Sequence, residues 1–105
     1  MKKAIAMHEN DNLVTVLDDV LKNDEVTVFS KSNTVVETIK AKQDIQFGHK
    51  LMRVDVEKDS DIIKYNTVVG RSFKAIKRGE HAHVHNFGSA RDSMAKFTNR
   101  EGRKG

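Results

Sequence analysis

The chain has 105 residues, no cysteine, no proline, no tryptophan and a formal charge of +4. That length fits one domain around one core, and the lack of cysteine excludes disulfides, thiolate zinc sites and cysteine nucleophiles. No apolar run approaches the roughly 20 residues of a membrane span, and Met1-Lys-Lys-Ala-Ile-Ala-Met-His8 meets charge too early for a signal-peptide core, so a soluble, cytoplasmic protein without a membrane partner is expected.

Lys2 to Met7 suits a first strand. Asn10-Asp11 then offers helix N-cap oxygens, and Leu13, Leu17, Val20 and Leu21 recur at i, i+4, i+7 and i+8, which predicts one short helix ending near Lys22-Asn23-Asp24. Beyond it the period changes to two. Val26-Thr-Val-Phe29 and Thr34-Val-Val-Glu-Thr-Ile39 are β-branched strands separated by the turn Ser30-Lys-Ser-Asn33. From Leu51, the alternation Met52, Val54, Val56 predicts a strand with one buried face, followed by the turn Glu57-Lys-Asp-Ser-Asp61. Ile62-Ile-Lys-Tyr65 and Thr67-Val-Val69 flank Asn66, Gly70 marks a bend or a close backbone approach, and Lys77-Arg-Gly-Glu80 turns into a histidine-rich strand. A loose echo links Val20 to Val26, Val56 to Ile62, and Ile76 to His81: aliphatic residue, polar turn, new strand. The unequal spacing reads as repeated turns within one folded sheet, not as a solenoid.

The last residues differ from the rest. From Ser89 to Gly105 five basic residues meet two acidic ones, so this segment carries +3 of the +4 total. Residues 1–88 are nearly neutral and lack a basic stripe interleaved with aromatics, which argues against a nucleic-acid partner. Ala90, Met94 and Phe97 lie at helical spacing, whereas Asn99 to Gly105 has nothing to bury and is expected to be disordered alone. The sequence divides into a folded part, 1–88, and a basic tail or linker, 89–105, helical or flexible.

Candidate chemistry concentrates in Gly79-Glu-His-Ala-His-Val-His-Asn86. On a strand, His81, His83 and His85 share one face and Ala82 and Val84 the other, inner one. Imidazoles two residues apart are roughly 6.5 to 7 Å apart at the backbone, from which two can converge on one metal ion or one anion. His8, beside Asn10-Asp11-Asn12, and His49-Lys50, after Gly48, are further polar groups at loops. Each has an ordinary alternative: Asn10 or Asp11 as a helix cap with His8 packed beside it, Gly48-His49-Lys50 as a solvated turn, Asn86 as a strand-ending side-chain turn. Asp18-Asp19 diverge by about 100° on a helix and are read as a solvated face rather than a catalytic pair.

Taken together, His8-Glu-Asn-Asp-Asn12, Phe47-Gly-His-Lys50, Tyr65 with Val69-Gly-Arg71, and Ile76-Lys-Arg-Gly-Glu-His-Ala-His-Val-His-Asn86 resemble the SAF-type domain of altronate and galactarate dehydratases, over residues 3 to 88. The resemblance implies a mainly β, compact β-clip domain with a strongly bent sheet, which agrees with the many short strands, and one short N-terminal helix is expected within it. It implies the separate small-subunit form of such a hydro-lyase, eliminating water from a sugar acid in a site shared with a large subunit. A divalent metal, usually iron, held mainly by that partner, would support the reaction. Sulfolactate sulfo-lyase has a similar small subunit, and a stand-alone sugar-acid-binding module is a further alternative; self-association of the chain is compatible with any of these.

β-Elimination needs a carboxylate anchor, a base for the proton alpha to it, and a Lewis or general acid for the leaving group. On the resemblance, His83 and His85 are expected as metal ligands or proton-transfer groups, and His8, His49, Lys50 and Asn86 as substrate-facing residues. The chain departs from the family pattern at Ala82, where a larger aliphatic is usual, at Ser72, where alanine is common, and at Met52-Arg53, in a stretch usually more apolar.

Overall fold

The computed structural model describes residues 1–83 and, as backbone, 87–89. Among these residues nine strands form two sheets. The larger contains β1 (Lys2–Ala6), β2 (Leu13–Val16), β3 (Glu25–Ser30), β4 (Val35–Lys40), β5 (Lys50–Met52) and β8 (His81–Ala82). The smaller contains β6 (Asp61–Lys64), β7 (Thr67–Ser72) and β9 (Phe87–Ser89). The large sheet has the order β4-β3-β1-β2-β5-β8 and the small one β6-β7-β9. Only β1 and β3 run parallel; the other pairs are antiparallel.

Strand periodicity divides the core in two. Ala4, Ala6, Val14, Val16, Val26, Val28 and Leu51 point to one face and pack with Val20, Ile39, Ala41 and Ile45. The opposite face offers Leu13, Met52 and Ala82 to Ile62 and Ile76. Both faces of β2 are therefore covered, which is why Leu13-Val-Thr-Val16 is nearly continuously apolar rather than alternating.

That double burial explains the main correction. The helix expected over Leu13 to Leu21 is absent: Leu13–Val16 is a strand, and no helix occurs among the described residues. Of the four residues on the proposed helical face, Leu13 and Val20 are buried, but Leu17 and Leu21 are 40% and 59% exposed. The 3.6-residue match arose from two apolar segments of different structure that happened to fall in phase. β-branched Val14-Thr15-Val16 favours the extended chain, which tertiary burial on both sides then fixes.

The sequence echo has a definite geometry. Val20 pairs with Ile45 and Val56 with Ile76 as isolated antiparallel bridges. Three residues after each of these four stands a residue with positive φ: Asn23 (77°), Gly48 (86°), Asp59 (66°) and Gly79 (92°). The next strand starts two residues later in every case, at Glu25, Lys50, Asp61 and His81. The carboxylate preceding a bridging aliphatic then accepts from the opposing turn. Asp19 takes the N–H of Phe47, Asp44 that of Lys22 and Asp55 that of Arg78, at 2.9, 2.8 and 2.7 Å. The fourth equivalent position is Ala75, which has no acceptor. The repeat therefore has four members; Ile45-Gln-Phe-Gly48 is the one the sequence echo missed.

Other expectations shift locally. The strand from Leu51 ends at Met52, and Val56 joins its bridge instead of extending it. Gly70 lies inside β7, where pairing jumps from Ile62↔Gly70 to Ile63↔Val68 and leaves Val69 as a bulge residue. Two of the departures from the family pattern have clear roles. Buried Ser72 Oγ accepts from the Ser60 N–H at 2.9 Å and donates to the Glu57 carbonyl at 2.8 Å, closing the turn before β6. Arg53 pairs with Glu37, which also holds Arg78. The helical or disordered segment expected after Gly88 lies, beyond Ser89, outside the described residues.

Candidate functional site

The edge strand β8 brings the histidines together. Its register sets Leu51 opposite His81 and Lys50 opposite Ala82, so the same ladder continued by one residue sets His49 opposite His83. Alternation then puts His49, His81 and His83 on one face, and Lys50 and Ala82 on the other. Gly48 ends the preceding turn in a left-handed conformation and delivers His49 to the start of β5. The Gln43 side-chain oxygen accepts the His81 N–H at 2.8 Å and fixes where β8 begins.

The three rings lie nearly parallel. Centroids are 5.1 Å apart for His49 and His81, 4.6 Å for His49 and His83, and 5.5 Å for His81 and His83. His49 Nδ1 is 3.0 Å from His81 Nε2, so one nitrogen donates while the other accepts. One potential ligand nitrogen from each ring lies within 4.8 Å of the others. Metal–imidazole bonds of about 2.0–2.1 Å separate donor atoms on one ion by roughly 3.3 Å. Small rotations of the rings would therefore let them share an ion. The donor set among the described residues, three imidazoles without thiolate or carboxylate, suits a borderline divalent ion such as Zn²⁺ or Fe²⁺ and leaves coordination positions for water, substrate or a ligand from another chain.

The other expected site residues are distributed differently. Lys50 occupies the opposite face of β5, where its ammonium donates to the Gly48 carbonyl at 3.0 Å. Burial first, and repulsion from Lys64 second, push Lys50 below the ordinary lysine pKa, with Tyr65 acting in the other direction. His8 borders a separate concavity of about 520 Å³, shared with Ser30, Lys31, Ser32, Val36 and Arg53 among others. Its Nδ1 accepts the Asn10 N–H at 3.1 Å. His85 and Asn86 lie outside the described residues.

The motif His8-Glu-Asn-Asp-Asn12 does not cap a helix. It clasps the β6–β7 hairpin, whose two-residue turn has Tyr65 and Asn66 both at positive φ, 56° and 58°, the pattern of a type I′ turn. The Asp11 carboxylate takes both turn N–H groups, and the Asn12 carbonyl group of the side chain takes that of Ile63. Asn10 Nδ2 donates to Asn66 Oδ1 at 3.1 Å. The clasp fixes Lys64 and Tyr65 in space.

Two residues stand outside the set expected from the sequence, His81 in the ring cluster and Lys64 at a buried position. His81 shares strand parity with His83 and was legible on that ground. Lys64 falls at a buried position of β6, two residues after Ile62, and a charged residue in an inward-facing slot was its signal.

Residues 2–90 match the family model of the altronate/galactarate dehydratase SAF domain. The chain belongs to this family. Its SAF-domain relatives include altronate dehydratase of Bacillus subtilis, 34% identical over 86 residues, which cover 82% of the chain and 16% of that protein. Altronate dehydratase of Escherichia coli is 33% identical over 82 residues, 78% of the chain and 15% of that protein. A third relative, the (2R)-sulfolactate sulfo-lyase subunit alpha of Chromohalobacter salexigens, is 33% identical over 82 residues and matched along 87% of its own length, with 76% of the chain covered. The chain thus spans about a sixth of the two altronate dehydratases but nearly the whole of the sulfo-lyase subunit. The histidine strand and the Asp11 clasp both fall within the family match.

Proposed function

We propose that this SAF domain forms one wall of a lyase active site, completed by a larger dehydratase subunit, and that the reaction removes water from a hydroxylated sugar acid. The observation that carries this reading is the convergence of His49, His81 and His83 at the edge of the large sheet, within a domain whose relatives are lyases. Imidazoles titrate near neutrality and therefore serve as proton donors and acceptors at physiological pH. His83, with His85 two residues further along the sequence, would move the proton alpha to the carboxylate or protonate the leaving hydroxyl. His49 and His81 would orient His83; Lys50, Asn86 and His8 are the further substrate-facing candidates. If a divalent metal, iron by family, is bound, His49, His81 and His83 suit it as ligands, and it would supply Lewis-acid polarisation of the departing group. Among the described residues no acidic ligand joins the cluster, and in this reading the partner supplies further donors.

A second reading has its own support. The sulfo-lyase subunit is matched along most of its length, which favours a separate subunit and leaves sulfite as an alternative leaving group. Co-expression with a large dehydratase subunit should give a stable complex that acts on an aldonate or aldarate; activity on sulfolactate alone would select the second reading. Replacing His83 and His85 together by alanine should abolish that activity with the complex intact. A stable complex inactive on every sugar acid and sulfo-acid tested would refute both readings, and tight sugar-acid binding by the lone chain would point to a binding module.

A further inference from the structure

On β6, Ile62 and Lys64 point the same way, into the face that Leu13 and Met52 also cover. Lys64 is only 8% exposed. Its ammonium sits 3.9 Å from the centroid of the Tyr65 ring, and among the described residues no oxygen accepts a hydrogen bond from it. A ring face offsets only part of the desolvation of a buried cation. The nearby Asp11 carboxylate is committed to the N–H groups of Tyr65 and Asn66. Lys50 stands close enough to add repulsion instead of relief. The clasped hairpin thus holds the Lys64 ammonium, and β5 carries Lys50 within electrostatic reach of it, with no counter-ion for Lys64 among the described residues.

We propose that Lys64, with Lys50 beside it, is a carboxylate-binding subsite that anchors the acid group of the hydroxy-acid substrate. The choice of a hydroxy acid rests on the function proposed above; the anion site itself rests on the burial of Lys64 and its lack of a counter-ion among the described residues. Lysine supplies a compact point charge with three donors, which suits a carboxylate approaching along the Tyr65 ring. The positioning is paid for in stability, since a buried cation without a partner is retained at a cost that an apolar residue of similar length would not carry.

The full chain, isotopically labelled, is titrated with galactarate, with succinate, which has the carboxylates but no hydroxyl groups, and with inorganic phosphate, while side-chain lysine and backbone amide signals are followed by NMR. Saturable shifts centred on Lys64, Tyr65 and Asn66 with both carboxylates are expected. Lys64→Met should weaken binding by about tenfold or more while raising the thermal midpoint, and Lys64→Arg should retain part of the affinity. Binding by succinate as well as galactarate upholds the subsite even if no lyase activity is recovered with a large subunit, so the two proposals fail separately. Affinity unchanged in Lys64→Met, shifts confined to the histidine strand, no saturable binding of either carboxylate, or Lys64-dependent binding of phosphate alone would each overturn the assignment.

Discussion

Asp11 caps a turn more than fifty residues away: its Oδ1 accepts the Asn66 N–H at 2.9 Å and its Oδ2 accepts that of Tyr65 at 3.1 Å. The carboxylate is 3% exposed, so each lost bond strands a donor away from water. Asp11→Ala should lower stability by about 2–4 kcal/mol, read as a drop in the urea midpoint. Asp11→Asn should recover little, because its amide nitrogen meets a second donor. A shift below about 0.5 kcal/mol in Asp11→Ala would show that the hairpin holds without its clasp.

Gly79 and Gly48 occupy equivalent turns but different surroundings. A Cβ on Gly79 would lie 2.5 Å from the Lys40 carbonyl oxygen, whereas one on Gly48 meets nothing within 4 Å. Both have positive φ, so alanine costs about 1–2 kcal/mol at either from conformation alone. Gly79→Ala should add a steric penalty and exceed Gly48→Ala by about 1–3 kcal/mol in chemical denaturation. Equal losses would mean that the backbone near Lys40 yields.

The unfilled fourth position makes a gain-of-stability test. Asp19, Asp44 and Asp55 each accept a turn N–H, and Ala75 stands where the fourth acceptor belongs. Ala75→Asp should stabilise the chain by roughly 0.5–1 kcal/mol through the Lys58 N–H. Asp55→Ala should cost a similar amount. A destabilised Ala75→Asp variant would disprove the equivalence of the turns.

Glu37 sets a pH limit on this fold. Burial raises its pKa, but hydrogen bonds from Arg78 and Arg53 and their charges outweigh that effect and hold it below the ordinary carboxylate value. Its contribution is therefore complete above the unfolded value, about 4.3 for glutamate, and disappears as pH falls through the lower folded value. Glu37→Gln should cost about 1 kcal/mol at pH 7, modest because the pair is partly solvated. The difference from the parent chain should vanish in strong acid; a constant difference across the acid range would remove Glu37 from the pH dependence.

The strands from Val26 onward, the turns at Lys77 and Glu57, and the shared face of His81 and His83 could be read from the order of residues, because each depends on neighbours two to five positions apart. The helix misassigned to Leu13–Leu21 shows where that reading stops. A strand buried on both faces loses its alternation, and only the layers on either side reveal it. His83 was legible in its strand, yet its meeting with His49 depends on the antiparallel pairing of β5 with β8. Lys50, adjacent to His49 in sequence, is separated from the ring cluster by the sheet itself.

The sequence by itself determined that the chain is a β protein of short strands and that it carries a histidine strand of a lyase-associated domain, since side-chain alternation, turn residues and motif spacing are local properties. The tertiary structure alone decided that Asp11 clasps a hairpin instead of capping a helix, that His49 joins His81 and His83, and that Lys64 is buried with no counter-ion among the described residues. The first two depend on contacts between residues 32 to 55 apart, and all three on sheet register and burial, which no local pattern encodes.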